Sequence, residues 1–147
     1  MILKKLYTFY RLSTRRKLLF GLGLVLALYS WLIFRFFNKN ARFGKKTEGE
    51  KTFQYSFSLP RYSALILDIR WTIFMVNKYI FWENVCRHQA YQAKLFCVFF
   101  NIPYQIFVGF KKNEEGKVEG HAWTLVNEEI ITGFCKPEEY IVQAIYS

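Results

Sequence analysis

The stretch NVCRHQAYQAKLFCVFFNIPYQIFVGFKKNEEGKVEGHAWTLVNEEIITGF, Asn84 to Phe134, changes its hydrophobic period part-way along, and that change decides the fold. In its first part Cys86, Ala90, Ala93, Cys97 and Phe100 recur at steps of four, three, four and three, which lines them on one face of a helix. Past Ile102-Pro103 the pattern alternates. Tyr104 to Phe110 reads as a strand, Lys111 to Lys117 as a polar hairpin loop, Val118 to Val126 as a second strand and Glu129 to Phe134 as a third. Asn127-Glu128 is a tight turn in which Asn127 supplies positive φ. Helix followed by antiparallel strands predicts an α+β domain, with helices packed on a small antiparallel sheet.

Working outward, Arg61 to Phe81 carries Leu65, Ile66, Ile69, Ile73, Phe74, Val76 and Ile80 at largely helical spacing, a second helix over the core. Asp68, the only aspartate in the chain, is expected to pair locally with Arg61 or Arg70. Asn38 to Thr52, with Gly44, Gly49 and mixed charge, reads as a linker. The expected organisation is a basic and hydrophobic helical segment over 1–46 and a catalytic-type domain over 53–147. Within the first segment Leu18 to Phe34 is almost unbroken apolar sequence, interrupted by Gly21, Gly23 and Ser30 and preceded by Arg15-Arg16-Lys17. It sits at the short edge of what spans a bilayer, for which about 20 residues are typical. A membrane helix and a hydrophobic helix packed on the domain or a partner both fit. A cleaved export signal fits less well, because no small-x-small site precedes the basic stretch Arg35 to Lys46.

Charge is unevenly placed. Residues 1–46 hold eleven Lys and Arg and no acid, which leaves ten basic residues against all eleven acidic ones in the remainder. The near-neutral remainder excludes a general polyanion binder, so no nucleic-acid partner is expected. Cys86, Cys97 and Cys135 are odd in number and widely spaced, which argues against a disulfide framework and a closed zinc site. A reducing, cytoplasmic setting fits, with membrane association through 18–34 as the open question. Neither a metal nor a cofactor is expected.

Cys86 at the head of its helix is followed 35 residues later by His121 in Glu119-Gly120-His121-Ala122-Trp123. A cysteine attacks carbonyls as thiolate, which a helix amino terminus and a neighbouring imidazole both favour. Asn84 is the expected N-cap. Without a base, Cys86 would be one more small core residue. Trp123 shares the strand face of His121 and is suited either to walling a substrate groove or to filling the core. Gln89 and Gln92 are candidate amide donors, and His88 falls on the far side of the helix, where it reads as a surface or supporting residue. The group that orients His121 is not marked: Glu129 and Thr132 are the candidates, and Glu119 lies about 7 Å along the same strand.

The run Cys86-Arg87-His88-Gln89-Ala90 through Ile102-Pro103-Tyr104, with Val108-Gly109-Phe110-Lys111-Lys112, Glu119-Gly120-His121-Ala122-Trp123-Thr124 and Ile131-Thr132-Gly133-Phe134, resembles the leader peptidases of lasso-peptide biosynthesis, members of the transglutaminase-like, papain-related superfamily. The resemblance extends weakly to Arg15–Phe37. It implies a cysteine peptidase that removes the leader from a ribosomally made precursor peptide, with Cys86 as nucleophile and His121 as base. It also implies a separate leader-recognition protein and an ATP-dependent macrolactam synthetase as partners. The family's acidic third member falls near Thr132 or Gly133, neither of which is acidic. Two other readings share these residues: acyl transfer to an amine, which has the same first half-reaction, and a membrane-anchored peptide-binding module without turnover.

Overall fold

A computed structural model describes residues 7, 9–37, 43–47 and 63–147 of the chain. Three helices, α1 (Thr14–Phe36), α2 (Ser63–Tyr79) and α3 (Cys86–Phe99), precede strands β1 (Gln105–Lys112), β2 (Val118–Val126), β3 (Glu129–Thr132) and β4 (Ile141–Tyr146). The sheet is antiparallel with order β3-β2-β1-β4. The expected α+β architecture is present. Three of its strands lie close to the positions anticipated, although β1 runs two residues beyond Phe110 and β3 stops at Thr132.

The helices build one core with one face of the sheet. Leu19 of α1, Ile66, Ile69 and Ile73 of α2, Ala93, Phe96 and Cys97 of α3, and Val126 and Ile131 of the sheet are buried together. Every apolar side chain removed from water here contributes about 25 cal/mol per Å² of area. A second cluster of Ala90, Ile106 and Ala122 lies where the start of α3 meets β1 and β2, and Cys86 packs against it. The α1 helix is thus part of the same core as 63–147. Gly23 lets α1 and α2 approach closely, since a Cβ there would stand 2.7 Å from Thr72 Cγ2.

Several local expectations are corrected. Asp68 is buried and pairs with Arg15 and Arg16 of α1, the Arg16 Nε contact being 2.6 Å; the distant α1 start lies against this part of α2 and outcompetes Arg70, while Arg61 falls outside the described residues. The expected linker is only partly described. Its residues 43–47 lie along the sheet edge: Lys46 bridges Tyr146, Lys45 N–H donates to Ser147 O and Thr47 N–H donates to Ile145 O. The tail forms a fourth strand, β4, that its sequence pattern does not mark, and it covers the free edge of β1. At the β2–β3 turn both Asn127 (φ 51°) and Glu128 (φ 66°) are left-handed, the geometry of a two-residue hairpin whose twist suits the strands.

Candidate active site

Cys86 is the first residue of α3, and the N-cap is Val85, which makes no side-chain cap. The expected cap, Asn84, is instead buried one residue earlier. Its Oδ1 accepts from Gln92 Nε2 (2.6 Å) and its carbonyl accepts from Gln89 Nε2 (2.8 Å), so both amides offered as site donors bind Asn84. The half-buried Cys86 still has the helix-start environment: the His88 N–H is taken by Val85 O at 2.9 Å, but the N–H groups of Cys86 and Arg87 precede the first intrahelical bond, and the dipole favours an anion there. Cys97, further along the same stripe, is buried and its thiol is pushed up to about 12 by desolvation, which makes it inert.

His121 stands on β2 opposite Gly109 of β1. Its Nε2 lies 3.0 Å from the carbonyl oxygen of Gly133. A carbonyl only accepts, so Nε2 carries the proton and donates, and Nδ1 is left as the acceptor nitrogen that a base requires. Tyr140 stacks on the imidazole with ring centroids 5.3 Å apart. Lys111 holds the same tyrosine, its Nζ 4.9 Å from the ring centroid, and donates to Glu139 Oε2 at 2.9 Å.

Neither anticipated orienting side chain makes the bond to the imidazole that Gly133 makes. Thr132 is buried and its hydroxyl donates to Thr124 Oγ1 (3.0 Å), while Glu129 is exposed at the hairpin, paired with Val126. Glu119 is exposed and accepts from Asn113 Nδ2. Gly133 (φ +67°) turns the chain immediately after β3, which aims its carbonyl at the ring. Glycine is the residue that adopts this conformation at little cost.

Alternation along β2 sends Ala122 toward α3, into the cluster that Cys86 packs against, and His121 and Trp123 to the other side of the strand with Phe107. Among the described residues no hydrogen bond joins Cys86 to His121; what links their surroundings is the segment after β3. Gly133 touches the imidazole, and Cys135, two residues on, lies within electrostatic range of Cys86 and Lys111. Burial is the main cause that raises the Cys135 thiol. Lys111 lowers it, and Glu138, Glu139 and Cys86 raise it. Bonds of a catalytic pair commonly tighten only when substrate is bound.

Two further expectations change. Trp123 is 1% exposed, stacked on Phe107 with centroids 5.5 Å apart and tilted against Tyr140, so it fills the sheet's second face and does not wall an open groove. His88 is 2% exposed, edge-on to Phe34 of α1. The helix side that a two-layer picture leaves to solvent is covered by α1. Burial, and then Arg87, lower the His88 pKa, with Glu83 opposing. Among the described residues no group of three His, Cys, Asp or Glu side chains is placed to hold a metal ion.

Helices packed against a four-stranded antiparallel sheet agree with the family whose profile matches residues 24–144, the transglutaminase-like superfamily. The chain belongs to that superfamily. The match begins inside α1 and ends within β4. No match was found among curated proteins or among solved structures. Members of the superfamily are typically cysteine-based enzymes and include both peptidases and acyltransferases.

Proposed function

We propose that this transglutaminase-like protein is a cysteine peptidase that removes the leader from a ribosomally made lasso-peptide precursor. In this reading substrate binding draws His121, held in the free structure on the strand side away from α3, to the Cys86 thiol; Nδ1 takes its proton, and the thiolate attacks the carbonyl carbon of the scissile bond. The N–H groups at the start of α3 receive the developing oxyanion, as helix-start donors do in acyl transfer. The imidazolium returns its proton to the departing amine, and water then hydrolyses the thioester. The observation that carries this reading is the 3.0 Å bond between His121 Nε2 and Gly133 O, because it frees Nδ1 for the thiol without an acidic third residue.

The partners in this reading are the precursor peptide, a separate leader-recognition protein and an ATP-dependent synthetase that closes the macrolactam. The setting is the cytoplasm, in keeping with three free cysteines. The test is cleavage of a precursor by the purified chain with its recognition protein, followed by mass spectrometry. Cys86→Ala is expected to abolish cleavage while the fold, by circular dichroism, is kept. Undiminished cleavage by that variant removes Cys86 from the mechanism. An amine-capped product in place of the free acid would assign the protein to acyl transfer.

A further inference from the structure

The α1 helix is 23 residues long, about 34 Å at 1.5 Å per residue, and apolar enough to cross a bilayer. The packing disfavours that orientation. Leu19, Gly23, Ala27, Ser30 and Phe34 form one buried stripe, and Ser30 Oγ accepts from Gln92 Nε2 of α3 at 3.1 Å. A spanning α1 would have to take its packed neighbours with it. Those helices carry Asp68 and Arg70 on α2 and Arg87, His88 and Lys94 on α3, and charged side chains in hydrocarbon are costly.

The opposite stripe has a different character. Leu18, Val25, Leu28, Tyr29, Leu32 and Phe36 are exposed, Leu18 at 70% and Phe36 at 67%, along one side of the helix. Soluble domains rarely leave so long an apolar strip in water. The ends of the same strip are basic, with Lys17 before Leu18 and exposed Arg35 beside Phe36, while the charge of Arg15 is balanced by Asp68. Residues 1–46 as a whole contain eleven basic residues and no acid. Apolar length between cationic ends, on a helix whose other side is fixed to protein, is complementary to the headgroup and acyl boundary of an anionic membrane.

We infer that α1 lies in the plane of an anionic membrane surface, its outer stripe seated among the acyl chains and its inner stripe remaining in the domain core. This surface is independent of the catalytic reading, but its position bears on it. The Arg87 guanidinium, next to Cys86, sits over the Phe34 ring of α1 at 5.3 Å, so the helix that meets the membrane also adjoins the start of α3.

The test is flotation of the full chain with phosphatidylcholine vesicles, with and without phosphatidylglycerol. Binding is expected to be at least roughly tenfold stronger to the anionic vesicles, to weaken with added salt, and to be reversed by alkaline carbonate extraction. Leu18→Asp with Val25→Asp should abolish binding without changing the thermal melt, because both side chains are mostly exposed, at 70% and 64%. Absence of binding to anionic vesicles would overturn the inference. So would resistance to carbonate, which indicates a spanning helix, or a soluble dimer dissociated by the same two aspartates, which indicates that a second copy covers the stripe.

Discussion

Gly133→Ala tests the junction on which the proposed site depends. A Cβ at this position would overlap the carbonyl oxygen of Ala122 and stand 2.9 Å from Trp123 Cα, both backbone atoms of a central strand. The residue also has φ +67°, which costs a non-glycine residue about 1–2 kcal/mol. Gly116 separates the two effects: its φ is +77°, but a Cβ there meets nothing within 4 Å. Gly116→Ala should therefore lose only the conformational part, about 1 kcal/mol. Gly133→Ala should lose that plus about 1–3 kcal/mol for forced displacement of packed backbone, together about 2–5 kcal/mol in a urea melt. Relief of the overlap requires the chain after β3 to move, and the Gly133 carbonyl moves with it, away from His121. Alkylation of Cys86 by iodoacetamide at neutral pH, in a Cys135→Ser background, should then fall in Gly133→Ala and stay unchanged in Gly116→Ala. Cys97, with its thiol pushed up to about 12, stays silent in the native state. Equal stability of the two variants, or full Cys86 labelling in folded Gly133→Ala, would refute the reasoning.

Tyr140→Phe should retain Cys86 alkylation, because it keeps the stacked face on His121, whereas Tyr140→Ala should slow it severalfold with little change in the melt. Arg15→Ala with Arg16→Ala leaves the Asp68 carboxylate buried without its partners; a loss of about 3 kcal/mol in a denaturant melt is expected, near the low end for buried pairs because both arginines are partly exposed. His88 has its folded pKa depressed below the unfolded value near 6.5, so the unfolded chain binds the proton first as pH falls. Its contribution to stability is complete above that value and declines below it. Melts at pH 7.5 and pH 5.5 should show a smaller acid loss in His88→Phe than in the parent.

The features legible in the sequence were those that depend on near neighbours along the chain. The stripe from Cys86 to Phe100 and the alternation around Trp123 follow from local period, and Asn127 marked its turn. What stayed hidden was set by contacts between distant segments. Ile141–Tyr146 becomes a strand because β1 offers it an unpaired edge, and its residues are only partly buried, so their pattern is weak. Asp68 looked for a partner on its own helix and found Arg15 and Arg16 on α1. His88 looks like a surface residue if α3 has one buried side, but α1 gives it a second. The apolar run 18–34 was itself the signal for that second layer, since a helix so apolar needs a surface to pack on.

The acceptor for His121 illustrates a deeper limit. A search for a catalytic third member is a search for side chains, and Glu129 and Thr132 were the candidates it returned. The bond is made by a peptide carbonyl, which every residue possesses, and only the fold decides which one is aimed. The sequence marks the place indirectly: a glycine directly after a strand, where the chain must turn left-handed. The substitution has a chemical consequence. A carbonyl fixes the tautomer and the ring plane as well as a carboxylate does, but it brings a dipole where a carboxylate brings a full charge. The stacked ring of Tyr140 supplies part of the difference, because an aromatic face attracts a cation. Lys111 already occupies that ring, and Glu139 balances Lys111, so the charge developed on His121 during proton transfer is felt through a chain of three residues. Removing Glu139 by Glu139→Gln should therefore slow Cys86 alkylation although the carboxylate never touches the imidazole. An unchanged rate would mean that the Gly133 carbonyl alone is sufficient.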